Sequence, residues 1–291
     1  MVEFEASMLL DEKYRLAESP FYDTRFDRLS WVDIPDGKLY QWAAGNRQCF
    51  DFGEPIGAAI PLQKSDGFFV AGKSGLWKFE NGQKEILFNL QDKYESYQRS
   101  NDAKADPEGR VFFGSTTGDD DHEAGGNLYR FDGDEIVCVQ KNTKISNGMA
   151  WSSNHNKFFF SDSLEHAVFT YDYNIKSGVI SNRKVLFHVS DGVPDGMCID
   201  SQDRLWVAVW DGKRIECRNS LTGELEAVVN VPAARVTSCC FYGKNLDKLF
   251  ITTAGDGLQG AFEGRLYECC VGSIGKVPDL AVERRNSKLF E

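Results

Sequence analysis

Apolar residues in this chain fall in short runs introduced by turns, and no stretch sustains the spacing of a helix. Six times a turn rich in Asp, Gly or Asn leads into a short apolar strand. A polar break follows, and then a second strand that usually holds an aromatic. The copies open at Asp27, Asp66, Glu108, Asn156, Asp203 and Asp247, with runs such as Phe68-Phe69-Val70, Val111-Phe112-Phe113 and Leu205-Trp206-Val207. Successive copies lie about 40 to 47 residues apart, the length of one four-stranded propeller blade. One blade cannot bury both of its faces, so six would pack around an axis. The pattern therefore predicts an all-β, six-bladed β-propeller occupying residues 1–291 as a single domain. Residues 3–10 alternate well enough to close the ring as an N-terminal strand that completes the C-terminal blade. Another all-β array of hairpins is the competing architecture, and six copies at blade spacing place it second.

Composition agrees with this reading. Hydrophobic residues make up 42% and charged residues 26%, which excludes a disordered chain, and 21 Phe favour strands. A formal net charge of −11 with no basic cluster argues against nucleic acid as a partner. Residues 1–20 lack a basic segment followed by an apolar one, and no run is long enough to span a bilayer. Eight cysteines without a CxxC pair suggest reduced thiols and a cytoplasmic location. A monomer or a weak homo-oligomer is expected.

Gly67 to Ser74 reads GFFVAGKS and satisfies the Walker A pattern. A phosphate-binding loop needs its strand before the first glycine and a helix after the Lys-Ser. Here the strand lies between the glycines and another strand follows, so the segment is predicted to be a hairpin. The histidines His122, His155, His166 and His188 stand beside turn residues, away from metal-ligand spacing, and no GxSxG elbow occurs.

Four polar clusters interrupt the repeat where apolar filler is expected: Glu18-Ser19-Pro20, Arg99-Ser100-Asn101-Asp102, Ser146-Asn147-Gly148 and Pro194-Asp195-Gly196. Each lies shortly upstream of a repeat strand, at an equivalent point of its unit. A lone Asn-Gly or Asp-Gly ordinarily marks a turn. Four in register instead place Glu18, Asn101, Asn147 and Asp195 around one point of the tunnel. Two carboxylates and two amides form an oxygen-donor set for a hard cation.

These clusters resemble the regucalcin/gluconolactonase (SMP-30) family. The segment from Arg99 through Asn101, Asp102 and Asp106 to Arg110 is similar to the family's R-x-N-D-G-K-x-D-P-x-G-R. Ser146-Asn147-Gly148 with Trp151-Ser152, and Pro194-Asp195-Gly196-Met197 with Asp200, are similar to two further motifs. Glu18-Ser19-Pro20 and the segment from Thr237 to Phe241 also fit. The likeness runs from about Glu18 to Thr253. It implies a six-bladed propeller, a divalent cation held by Glu18, Asn147 and Asp195, and a lactone substrate reached by Arg99 and Asn101. Ser19 and Ala103 replace family glycines, beside the pocket where the substrate would sit. An insertion at 117–126, carrying Asp119, Asp120, Asp121, His122 and Glu123, falls where the family has a variable loop over the tunnel mouth.

The implied reaction is metal-dependent opening of a sugar lactone, with Asp195 both ligand and candidate general base. All-oxygen donors suit calcium, magnesium or manganese, while zinc, which the family also binds, usually recruits nitrogen or sulfur. Hydrolysis of other esters or organophosphates on the same site, action on a non-sugar metabolite, and a non-catalytic calcium-binding propeller are the alternatives.

Overall fold

The structure, a computed structural model, describes residues 1–95, 97–117 and 125–283. Two short strands come first, β1 (Val2–Glu5) and β2 (Ser7–Leu10). Blade one comprises β3 (Ala17–Asp23), β4 (Arg28–Asp33), β5 (Lys38–Ala43) and β6 (Asn46–Asp51). Blade two is β7 (Ile56–Pro61), β8 (Phe68–Gly72), β9 (Gly75–Glu80) and β10 (Gln83–Asn89). Next come β11 (Arg99–Ala105), β12 (Val111–Thr116), β13 (Gly126–Phe131) and β14 (Ile136–Thr143). Blade four holds β15 (Ser146–Trp151), β16 (Lys157–Asp162), β17 (Ala167–Asn174) and β18 (Val179–His188). Blade five has β19 (Val193–Ile199), β20 (Arg204–Trp210), β21 (Arg214–Asn219) and β22 (Leu225–Asn230). The last repeat supplies β23 (Arg235–Tyr242), β24 (Lys248–Ala254) and β25 (Leu266–Cys270).

Within each blade the strands run as an antiparallel meander. The first strands form a closed circuit: β3 packs on β7, β7 on β11, β11 on β15, β15 on β19, β19 on β23, and β23 returns to β3. This is the predicted six-bladed propeller. The apolar runs of the sequence are the second strands, buried along nearly their whole length because neighbouring blades cover both faces. Aromatic pairs fill the space between and within blades. Trp31 stacks on Tyr40 at 5.6 Å, and Phe112 meets Trp151 edge-on at 5.3 Å, each pair adding about 0.5–1.5 kcal/mol beyond burial. GFFVAGKS forms the β8–β9 hairpin and no phosphate loop.

Ring closure departs from expectation in one respect. The stretch 3–10 breaks at Ala6 into two strands with different partners. β2 completes blade six beside β25, with Ser7 opposite Glu268. β1 crosses to blade five and pairs parallel with β22, with Val2 opposite Ala227. At the other terminus the chain after β25 straps across one face of the ring. Ser201 N–H donates to Ile274 O (2.8 Å), Gln63 N–H to Ala281 O (2.8 Å), and Val282 N–H to Gly109 O (2.9 Å). Residues from Lys276 to Asp279 help to line a small cavity, about 70 Å³, at the ends of the inner strands. A cavity of about 720 Å³ lies at the opposite end, where those strands begin. Among the described residues no helix is long and apolar enough to cross a membrane.

The Asp-Pro-Glu-Gly-Arg part of the third cluster is structural. Asp106, fully buried, accepts bonds from the backbone of Glu108 and Arg110, from Arg110 Nε (2.6 Å) and from Tyr173 OH (2.6 Å). Asp200 clamps Arg204 in blade five through the same geometry. Both pin the turn between first and second strands, well down the blade from the tunnel mouth.

Candidate functional site

The polar clusters occupy the first strands, and each sits on a β-bulge. Pairing with the second strand skips between Glu18 and Phe21, Ser100 and Ala103, Ser146 and Met149, and Pro194 and Met197. A bulge sets two residues against one and re-aims side chains. The glycines beside the candidate residues are required by close approach, not by a turn. A Cβ on Gly148 would lie 2.6 Å from Asp195 O, and one on Gly196 would lie 2.1 Å from Ser238 Oγ. Inner strands of adjacent blades can thus converge only where one residue has no side chain.

Aspartates at the ends of second strands anchor the chain just ahead of two of these clusters. Asp33 accepts from the backbone N–H of Arg15 (2.9 Å) and Leu16 (3.2 Å), two residues before Glu18. Asp162 does the same for Lys144 and Ile145 (both 3.0 Å) ahead of Asn147. Thr237, at the bulge of blade six, donates to Ala17 O (2.6 Å) and ties the ring shut beside Glu18.

Glu18, Asn101, Asp102, Asn147 and Asp195 are all buried. Asn101 Nδ2 donates to Asn147 Oδ1 (2.8 Å) and Ser146 O (3.0 Å), and Asn101 Oδ1 accepts from Arg99 (2.8 Å). Asn147 Nδ2 donates to Ser163 Oγ (2.8 Å), which in turn donates to Pro194 O (2.8 Å) beside Asp195. One chain of hydrogen bonds therefore runs across the inner strands of blades three, four and five. Glu18 Oε2 accepts from Ser19 N–H (2.5 Å), while its Oε1 is buried with no partner.

Charge is concentrated here. Burial foremost, then Asp195 and Asp102, hold the Glu18 carboxyl well above the usual carboxylate range, and the Ser19 N–H opposes them. Asp195 is raised in the same way by burial and then by Asp102, against the pull of Gly196 N–H and Arg99. Burial also raises Asp102, opposed by Lys104. The Arg99 guanidinium is pushed down to about 10 by burial, although Glu18 and Asp195 favour its charge. Three buried acids thus share a site that takes up protons, or any other positive charge, with favour.

Sequence reasoning missed Ser163, Lys104 and the role of Asp102. Ser163 carried no signal, being one serine after a strand. Lys104, whose ammonium donates to Met197 O (2.6 Å), and Asp102 lay inside the quoted motif without an assignment. Among the described residues no three His, Cys, Asp or Glu side chains are placed to hold one ion. Residues 118–124, which include Asp119, Asp120, Asp121, His122 and Glu123 of the predicted mouth loop, lie outside the described residues.

Comparison with known proteins places this arrangement. The family profile "SMP-30/Gluconolactonase/LRE-like region" matches residues 16–255. The chain belongs to the SMP-30/gluconolactonase family. Regucalcin of Macaca fascicularis is 32% identical over 296 residues, covering 97% of each chain. A solved luciferin-regenerating enzyme superposes with a TM-score of 0.87 at 29% identity, over 94% of this chain and 96% of the other. A calcium-binding regucalcin from Agrobacterium tumefaciens superposes with a TM-score of 0.90 at 19% identity, over 98% and 100%, which speaks for the shared propeller. In this SMP-30 family member the matched region begins just before Glu18 and ends just after β24, so it contains every candidate residue.

Proposed function

We propose that this SMP-30 family member is a divalent-cation-dependent hydrolase that opens sugar (aldono-) lactones. The observation that carries the reading is the unpartnered buried Oε1 of Glu18, beside Asp195 and two residues after Leu16 in the wall of a cavity of about 720 Å³ that Arg99 and Asn101 also line. A buried oxygen without a donor costs about 1–3 kcal/mol, and more when ionised. A cation held by Glu18, Asp195 and the Asn147 amide oxygen supplies the missing partner, and the oxygen-only donors suit calcium, magnesium or manganese. The calcium-binding relative fits that choice. Zinc remains a family precedent.

A divalent cation held by these residues would supply Lewis-acid stabilisation of negative charge on a lactone carbonyl oxygen and would acidify a nearby water. Asp195 then accepts the proton of the attacking water. Burial and then Asp102 disfavour its charge, and a positive charge beside it would favour the ionised form that base action needs. Asn101, fixed from both sides by Arg99 and Asn147, orients the carbonyl or the water. Arg99 spends one nitrogen on Ser100 O and Asn101 Oδ1, leaving donors of its fork for substrate hydroxyls or a carboxylate. The water oxygen bonds to the carbonyl carbon, the ring C–O bond breaks, the proton held on Asp195 passes to the ring oxygen, and a hydroxy acid leaves. A purely structural cation has no need of that arginine, which argues against the non-catalytic reading. Eight free thiols suit a reducing compartment such as the cytoplasm.

The test is a pH-indicator assay over a panel of aldonolactones and aryl esters, after chelation and with each divalent metal added back. Turnover of lactones that returns only with metal is expected. Full lactonase activity in Asp195→Ala with metal still bound would remove Asp195 from its role.

A further inference from the structure

The cavity above the site is lined by four cationic side chains, Arg15, Lys73, Arg99 and Arg235, and one acidic side chain, Asp256. They are not equivalent. Arg15 is held between Asp36 and Asp256, both at 3.1 Å. Arg235 pairs with Asp211 at 3.3 Å and lies over the Trp210 ring. All of these acids come from blades one, five and six, and they neutralise that flank of the mouth.

On the opposite flank, blades two and three supply Lys73 and Arg99. Among the described residues neither has a carboxylate partner within ion-pair distance. Arg99 donates to two neutral oxygens. Lys73 stands in the β8–β9 turn, the very residue that completed the false Walker pattern. Its turn is pinned: Lys73 N–H donates to Pro55 O (2.9 Å), and Glu54 accepts from Ser74 N–H and from Trp77 Nε1 (3.2 Å each). In a chain of net charge −11, two cations without an ion-pair partner on one wall of the candidate substrate cavity need an explanation, Arg99 being balanced only at longer range by the buried Glu18 and Asp195.

We infer that Lys73 and Arg99 form an anion subsite, and that the substrate is a lactone bearing a phosphate or carboxylate away from its ring carbonyl. This rests on the lactonase reading and narrows it. A planar guanidinium fork and a mobile ammonium are the two groups that recognise such anions. The cavity has room for a sugar acid extended by that group.

The experiment compares glucono-δ-lactone, its 6-phosphate and glucaro-1,4-lactone as substrates of the metal-loaded enzyme, wild type against Lys73→Met. The wild type is expected to favour at least one anionic lactone over the neutral one. Lys73→Met should lower the anionic-to-neutral ratio of kcat/KM about tenfold, the weight of a hydrogen bond to a charged group, with the loss in KM. Raising salt should erode the same ratio. Preference for the phosphate alone or for the carboxylate alone identifies the anion and supports the subsite. Equal or better use of the neutral lactone, with a ratio that Lys73→Met leaves unchanged, overturns it. Should no lactone turn over, calorimetric binding of 6-phosphogluconate separates the two ideas. Binding lost in Lys73→Met upholds the subsite while the lactonase reading falls, and absence of binding ends the subsite as well.

Discussion

Replacing Glu18 with Gln should make the cation-free protein more stable and leave it indifferent to added cation. Glu18 is 4% exposed, its Oε1 has no donor, and Asp195 and Asp102 repel its charge. Gln keeps the shape and the acceptor for Ser19 N–H, and removes the charge. The relief is that of a buried charge repelled by two like charges, about 1–3 kcal/mol net of the amide N–H groups that Gln sets in the place of Oε1. At about 2 °C per kcal/mol for a chain of this size, Tm rises by about 2–6 °C. The pH window follows from the raised pKa values of Glu18 and Asp195. A raised carboxyl binds its proton more tightly in the folded state. Its stabilising share is complete below the ordinary carboxylate pKa of about 4 and is lost as pH rises through the folded value. The advantage of Glu18→Gln is therefore small at acid pH and largest on the alkaline side. Cation reverses the order: at 100 times Kd it adds about 2.7 kcal/mol, or roughly 5 °C, to the wild type and little to the variant. Scanning calorimetry of both proteins from pH 5 to 8.5, in chelator and in excess calcium or manganese, measures all of this. A variant less stable than wild type at pH 8 in chelator, or an equal gain from cation in both, would refute the reasoning.

Three further outcomes are expected. Ser163→Ala removes the acceptor that orients the Asn147 amide, and calorimetric titration should show cation affinity about tenfold weaker, with Ser163→Thr restoring part of it. Asp106→Ala strands the buried Arg110 guanidinium and should cost about 3–5 kcal/mol in urea unfolding, without changing cation affinity per folded molecule. Ser19 sits at φ 50° immediately before a proline, in a conformation that glycine adopts freely, and Ser19→Gly should raise the unfolding free energy by less than about 1 kcal/mol after the added freedom of the unfolded chain is counted, read as a small rise in Tm.

The sequence disclosed the parts of the propeller that face its interior. Second strands such as Val111–Thr116 read clearly because blades on both sides make them continuously apolar. Fourth strands such as Asn46–Asp51 left no trace, since they face solvent and are held mainly by backbone pairing to the third strand. The break at Ala6 was illegible for a related reason: both halves of residues 3–10 alternate acceptably, and only their partners differ. At the candidate site, register alone brought Asn101 and Asn147 into contact, as the 2.8 Å bond shows. The supports stayed hidden, because Asp33, Asp162 and Ser163 look like ordinary strand-end residues. Lys73 was correctly denied a phosphate-loop role, yet its position at the tunnel mouth depends on a hairpin that periodicity could not orient.

The divided N-terminal strand has a consequence for synthesis. Ser7 must find Glu268, and Val2 must find Ala227, so neither pairing can form until nearly the whole chain has left the ribosome. At about 5–20 residues per second that delay is on the order of 10–50 s. Throughout it β1 and β2 are without their partners and present bare backbone edges, which are templates for pairing with another chain. Removing the first ten residues, or burying them in a bulky fusion, would leave β22 and β25 of the finished chain with such edges permanently. The result to look for is aggregation during expression, from a chain whose cavity residues are all intact.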